Sequence, residues 1–345
     1  MKVAIVLFNL GGPDSLDAVE PFLENLFSDP AIISLPSLVR RPLARLIARR
    51  RAPVARAIYQ KIGDRSPILE ETEAQGRALE VAMSEQGIEA KAFVAMRAWK
   101  PFASEAARAV AAWQPEQIVL LPLYPQFSTT TTGSSVENWR KEAKRMDLKA
   151  PQTRVCCYPD EPGFVASVTA LISETFARRR PGVDYRLLLS AHGLPKRTIS
   201  KGDPYQWQVE KTAAAVVDAL GIPDLDWRLC YQSRVGPLRW IGPATDAEIR
   251  CAGSEGKGIV LAPVAFVSEH SETLVELDIE YAKLALESDV PHFLRVPTAG
   301  THPTFIQGLT AMVVRALDGT PVVTCGAGRL CPQRAVRCGY EDIHA

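Results

Sequence analysis

No apolar segment of the 345-residue chain reaches the length that a bilayer-spanning helix needs, so nothing in it reads as an integral helical membrane protein. No secretory leader is expected either, because Lys2 runs directly into VAIVLFNL at 3–10, which reads as a first core strand. Net charge is only +1, which leaves no basic excess for general nucleic-acid binding. Seven cysteines, an odd number, argue against a disulfide framework, and a cytoplasmic chain with reduced thiols is expected. The strand, turn and helix that open the chain carry Gly11, Gly12 and Pro13, but neither a full dinucleotide glycine fingerprint nor a P-loop lysine. Internal repeats are absent, and the only low-complexity tract is a run of four threonines at 129–132. What remains is 47% hydrophobic and 23% charged, the composition of a globular protein, with enough length for two domains.

The order of patterns is that of an α/β protein. Strand-like runs at 3–10, 90–96 and 117–123 alternate with helix-like stretches at 15–27, 68–86 and 102–113. A second series restarts at 154–158 and continues through helices at 163–180, 203–220 and 303–317 and strands at 185–190, 227–232, 258–267 and 292–296. Such alternation predicts two Rossmann-like, doubly wound domains with parallel sheets, facing each other across a ligand cleft at their strand ends. The expected boundaries are 1–153, 154–305, and a tail at 306–345 returning to the first domain. Seven arginines between Arg40 and Arg56 lie on a helix pattern that gathers Leu43, Leu46 and Ile47 on one face. This is either a basic amphipathic helix for an anionic membrane or substrate, or a solubilising surface. The hydroxyl-rich turn 128–135 is either an anion site or a polar loop with a good N-cap.

The most informative stretch is SEHSETLVELDIEY at 268–281. Ser268 reads as an N-cap, after which helical spacing sets Glu269, Glu272, Glu276 and Glu280 along one stripe beside His270. Leu274, Leu277 and Tyr281 form the neighbouring apolar stripe. Like charges at this spacing are mildly unfavourable, and only Lys283 is near enough in sequence to offset them. A carboxylate ladder with an imidazole is a path for a divalent cation or for protons. His192, at the carboxyl end of a strand and followed by Gly193, is a second candidate, since glycine permits close approach.

Taken together these motifs resemble the ferrochelatases. The resemblance rests on FNLGGP at 8–13, DRSPI at 64–68, LYPQFS through GSS at 123–135, SAHGLP at 190–195, KGDPY at 201–205, YQSRVGPLRWIGP at 231–243, and the stretch 268–281. It covers nearly the whole chain. It implies a lyase that inserts ferrous iron into a porphyrin, with His192 and Glu272 as the catalytic and iron-handling residues. Glu269, His270 and Glu276 are the implied supporting path. Tyr59, Ser66, Arg97, Tyr124, Trp240 and Phe266 are the implied porphyrin contacts, and the arginine-rich segment the lip that meets the membrane. Ala98 departs from the pattern, since relatives usually carry an aromatic residue after the arginine.

Metalation needs a base for two pyrrole protons, and His192 suits it, with Glu272 expected to face it across the cleft. Protoporphyrin is the expected substrate, with coproporphyrin or a non-catalytic tetrapyrrole or metal carrier as the alternatives. Cys325, Cys331 and Cys338 are crowded into the tail, and resemblance to cluster-containing ferrochelatases implies a 2Fe-2S centre. One branch of that group supplies an internal ligand at the position of Thr129, so the fourth ligand here is expected to be Cys157, with Cys156 as the alternative. Zinc is the lesser occupant, and Cys230 and Cys251 read as core thiols.

Overall fold

A computed structural model describes residues 1–234 and 238–340. Within them nine strands are formed: β1 (Lys2–Asn9), β2 (Glu89–Met96), β3 (Gln117–Pro122), β4 (Gln152–Val155), β5 (Tyr185–His192), β6 (Trp227–Gln232), β7 (Gly258–Pro263), β8 (Phe293–Arg295) and β9 (Val322–Val323). The chain divides into two compact units, Met1–Cys157 with Leu309–Leu330 and Gly339–Ala345, and Tyr158–Gly308 with Cys331–Cys338. The fold is α/β with two parallel sheets, as the alternation of patterns implies.

In the first unit the strands lie in the order β2-β1-β3-β4-β9, all parallel. Strand β1 is buried from Val3 to Phe8, which is why its sequence is a continuous apolar run. Strand β4 was expected to open the second domain. Instead Ile118, Val119 and Leu120 of β3 register with Gln152, Thr153 and Arg154, making it part of the first sheet. The arginine-rich segment forms the helix Ser37–Gln60, but its buried face is not Leu43, Leu46 and Ile47. Ala44, Ala48 and Ala52, four residues apart, are fully buried, because small side chains let this helix lie close to Val19–Phe27. Leu46 is left 47% exposed and Leu38 89%.

In the second unit the order is β6-β5-β7-β8, again parallel. Its central strand β5 is tied at both ends. Near its start, buried Arg186 makes paired bonds to Asp226 at 2.9 and 3.0 Å and reaches Glu255 at 2.8 Å. At its other end His192 registers with Gln232 of β6, and the next residue lies against that strand's backbone. A side chain on Gly193 would put its Cβ 2.8 Å from the Gln232 carbonyl oxygen, so glycine is what lets the strand end close up beneath His192.

Beyond β7 the chain does not continue as a strand to 267. The strand stops at Pro263, and a buried turn leads to a π-helix at Glu272–Glu280, continued by the α-helix Tyr281–Glu287. The N–H of Tyr281 bonds to the carbonyl of Glu276, five residues back. Leu277, Tyr281 and Ala285 anchor this segment on Leu188, Ile259 and Leu261 of the sheet.

Candidate functional site

The imidazole of His192 and the carboxylate of Glu272 are in direct hydrogen bond, Nδ1 to Oε2 at 2.8 Å. Both belong to the second unit, so the pair is not set on opposite walls as the sequence suggested. A carboxylate only accepts, so Nδ1 is the donor and the neutral ring carries its lone pair on Nε2. Tyr205 fixes the backbone here by donating to the His192 carbonyl at 3.0 Å. Phe266 lies edge-on to His192, with ring centres 6.4 Å apart, and packs on His270 at 4.6 Å. His270 Nδ1 donates to the Ser268 carbonyl at 3.1 Å. Ser268 is therefore not the N-cap; the helical segment begins after Ser271.

A residue not singled out from the sequence completes the group. Ser233, just past β6, places its hydroxyl 3.0 Å from Glu272 Oε2 and 2.5 Å from Glu276 Oε2, and its N–H donates to Glu276 Oε1 at 2.8 Å. One hydroxyl has one proton, so it donates to one carboxylate and accepts from the other only if that one is protonated. Ser233 also holds φ at +59°, a conformation uncommon for a residue other than glycine, Asn or Asp. Gln232 Nε2 and Tyr281 OH add bonds to Glu276, at 3.3 and 3.0 Å. The only sequence signal for Ser233 is its place in the motif 231–243, of which Val235, Gly236 and Pro237 lie outside the described residues.

These contacts push the proton affinities apart. Burial alone would lower the pKa of His192, but the Glu272 carboxylate against its ring, helped by Glu276, raises it. Burial would raise Glu272, and the facing imidazole more than reverses that, holding it well below the usual range. Glu276 goes the other way, raised by burial and by the charge of Glu272 beside it. Two neighbouring carboxylates are thus shifted in opposite directions, as in acid–base sites.

The four-glutamate stripe is not formed. Glu269 lies before the helix and bonds Arg295 Nη1 at 2.6 Å and the N–H of Thr298 at 3.0 Å, while Glu280 is exposed. Lys283 pairs with Glu287 at 3.6 Å, so the charges near Glu272 are offset by partners distant in sequence.

The remaining predicted residues are distributed between the units. Trp240 bridges to Pro195 in the second. In the first, Tyr59 is buried at the end of the Ser37–Gln60 helix, and Ser66 lies so close to Gly12 that a Cβ there would be 2.5 Å from it. Tyr124 packs against the Phe8 and Trp139 cluster. Arg97 is bound to buried Asp29 at 2.9 Å and Ser134 at 2.7 Å. Ser128 accepts from the N–H of Thr130 and so caps the threonine turn, which is a π-helical turn, Thr129–Gly133, that runs into the helix Ser134–Arg145. Cys156 and Cys157 are buried with Phe127 and Val322, and the Cys325 N–H reaches the Cys157 carbonyl at 3.4 Å. Cys331 and Cys338 are buried in the second unit, where Gln208 Nε2 donates to the Cys331 sulfur at 3.0 Å. Cys230 is buried, whereas Cys251 is exposed at the surface beside Glu255 and is not a core thiol. Among the described residues no three His, Cys, Asp or Glu side chains are grouped to hold a metal ion.

A histidine–carboxylate pair at the carboxyl ends of parallel strands suits proton transfer or a divalent cation. The fold is that of the chelatases. The sirohydrochlorin chelatase SirB from Bacillus subtilis subspecies spizizenii, in complex with cobalt, matches with a TM-score of 0.52 at 11% identity, over 92% of this chain and 95% of that one. SirB from Bacillus subtilis with Fe3+ gives 0.50 at 14%, over 92% and 96%. The ferrochelatase family model matches residues 2–317. Ferrochelatase from Phenylobacterium zucineum is 54% identical over 99% of both chains, and that from Caulobacter vibrioides 56% over 94% of both. The chain belongs to the ferrochelatase family.

The linked protonations give a pH signature. The raised pKa of His192 contributes stability that is complete below its ordinary 6.5 and is lost as pH rises through the folded value. The depressed pKa of Glu272 contributes stability that is complete above its ordinary 4.5 and is lost as pH falls through the folded value. The stability difference between the native protein and Glu272→Gln, from urea unfolding, should therefore be largest between pH 4.5 and 6.5 and shrink on the alkaline side. A difference that is flat or grows from pH 6.5 to 9 contradicts the pairing.

Proposed function

We propose that His192 and Glu272 act as one proton-accepting unit in the insertion of ferrous iron into protoporphyrin. The family fixes the reaction class: a lyase that inserts iron into a porphyrin in haem biosynthesis. The observation that carries the residue assignment is the 2.8 Å bond between Nδ1 and Oε2, which leaves Nε2 as the basic nitrogen. A pyrrole N–H proton moves to Nε2, and the imidazolium that results is balanced by Glu272. Ser233 links Glu272 to Glu276, whose proton affinity is raised by burial and by the neighbouring charge of Glu272, and Glu276 is the proposed acceptor of the second proton. Ferrous iron, as substrate, is served by the same oxygen and nitrogen donors, and His270, packed on Phe266, is proposed as a supporting group for it. Tyr59, Ser66, Arg97, Tyr124, Trp240 and Phe266 are proposed to contact the macrocycle, whose bending draws on binding energy away from the reacting nitrogens. The bonds of Arg97 to Asp29 and Ser134 suit it to hold a fixed orientation toward a propionate.

Protoporphyrin is favoured over coproporphyrin by the surface of the Ser37–Gln60 helix. Its exposed Leu38, Leu46 and Val54 alternate with arginines, which suits peripheral contact with an anionic membrane and a membrane-soluble substrate. No helix among the described residues is long and apolar enough to cross a membrane. The placement proposed is cytoplasmic, with that helix on the inner membrane.

We also propose a 2Fe-2S cluster on Cys157, Cys325, Cys331 and Cys338. Support comes from the burial of three of these thiols, the backbone bond that sets Cys325 beside Cys157, and the amide donor on the Cys331 sulfur. Insertion of ferrous iron transfers no electron, so the cluster enters no step above.

In an anaerobic mixture of ferrous iron and protoporphyrin the protein should form haem far faster than a blank, and His192→Ala should abolish turnover with porphyrin binding kept. Binding without turnover in the native protein would support the carrier reading instead. Protein from iron-replete cells, purified anaerobically, should be red-brown and bleached by dithionite, and Cys331→Ser should remove the colour. A colourless native protein without sulfide ends the cluster proposal alone.

A further inference from the structure

On the side away from His192 and Ser233, the π-helix that carries Glu272 and Glu276 is bonded through Asp278 by a side chain of β8. Arg295, at the end of the three-residue edge strand β8, is only 13% exposed. Its Nε donates to Asp278 Oδ1 at 2.7 Å and its Nη2 to Asp278 Oδ2 at 2.5 Å, a two-pronged bond to the middle of the π-helix. Its Nη1 meets Glu269 Oε1 at 2.6 Å, and that oxygen also accepts the N–H of Thr298. One guanidinium thus fastens the helix to the segment before it and to the backbone after β8.

We propose that Arg295 is a positioning residue for iron insertion: through Asp278 and Glu269 it fixes the π-helical register that presents Glu272 and Glu276 to His192 and Ser233. On this assignment Glu269 is an anchor and not part of a proton or metal path. The proposal rests on the role given above to His192 and Glu272.

Two physical points carry it. First, π-helical turns are rare, and one that persists is held by its surroundings. Here the N–H of Tyr281 reaches back five residues to Glu276, and relaxation to the ordinary four-residue ladder would rotate the face that bears Glu272 and Glu276 relative to Leu277 and Tyr281, which anchor the segment on the sheet. A planar fork bonded to both oxygens of Asp278 resists that rotation in a way that a point charge does not. Second, Asp278 and Glu269 are carboxylates on the segment that already carries Glu272 and Glu276. Sharing one cation, they carry a net charge of −1 in place of −2, which lowers the repulsion they add to the reacting pair.

The test uses Arg295→Lys, which keeps the charge and loses the fork, and Asp278→Asn, which removes the helix-side partner. Hydrogen–deuterium exchange of the 272–280 segment should rise about tenfold in each, with the β5 and β7 segments unchanged. The kcat for iron insertion should fall up to about 100-fold, the scale for a displacement of about 1 Å, while porphyrin KM stays within about twofold. The double variant should be no worse than either single one, as for one shared interaction. Unchanged exchange at 272–280, or an unchanged kcat, in a folded variant overturns the proposal. If Arg295→Lys fails to fold, Asp278→Asn, whose side chain is 33% exposed, decides it alone. Full turnover in His192→Ala, with exchange at 272–280 still raised in Arg295→Lys, would show that the His192 reading has failed and the clamp has not.

Discussion

Everything at the site depends on the hydrogen bond between His192 and Glu272. It can form only if a strand end and a helix of the second unit meet within 3 Å, and three features bring that about. Gly193 lets β5 close on the Gln232 carbonyl. The chain leaves β7 at Pro263, and so turns back early enough for Glu272 to reach the end of β5. Leu277 and Tyr281 then hold the helix on the sheet. Once formed, the bond sets the tautomer of the imidazole and separates the proton affinities of Glu272 and Glu276.

The cost of gathering carboxylates is met by groups remote in sequence. Glu272 has His192 and Ser233, Glu276 has Ser233, Gln232 and Tyr281, and Glu269 and Asp278 share Arg295. Partly buried polar groups linked in this way are costly to leave half satisfied, so each member constrains the next. The strain in the Ser233 backbone and the π-helical turn belong to the same network, and both are features that regular secondary structure would discard.

The sheet strands were legible because parallel strands buried on both faces are continuous apolar runs, as at 3–8 in β1 and 187–191 in β5. His192 and Glu272 were legible as candidates because an imidazole after such a run, and glutamates at helical spacing, are conspicuous. Their direct contact was not, since no pattern in either segment encodes the distance between them. Helical spacing counted from Ser268 misplaces Glu269 on the glutamate stripe, because the helical segment starts only at Glu272 and the Arg295 partner of Glu269 lies 26 residues on. The face of the Ser37–Gln60 helix was misjudged for another reason: hydrophobicity ranks leucine above alanine, whereas close approach of two helices selects the small residue. The sheet that β4 joins is not legible because a four-residue strand, QTRV, with one apolar side chain carries no record of which neighbour it pairs with. Ser233 left almost no signal, since a lone serine after a strand is ordinary.

The central claim is that Glu272 controls the protonation of His192 through Nδ1. Nitrogen NMR of the His192 imidazole, followed through a pH titration in the native protein and in Glu272→Gln, tests it most directly. The account predicts a proton on Nδ1 in the neutral native ring, a pKa above the ordinary 6.5, and a fall in that pKa when the carboxylate is removed. A proton on Nε2 in the neutral ring, or a pKa that the substitution leaves in place, would contradict it.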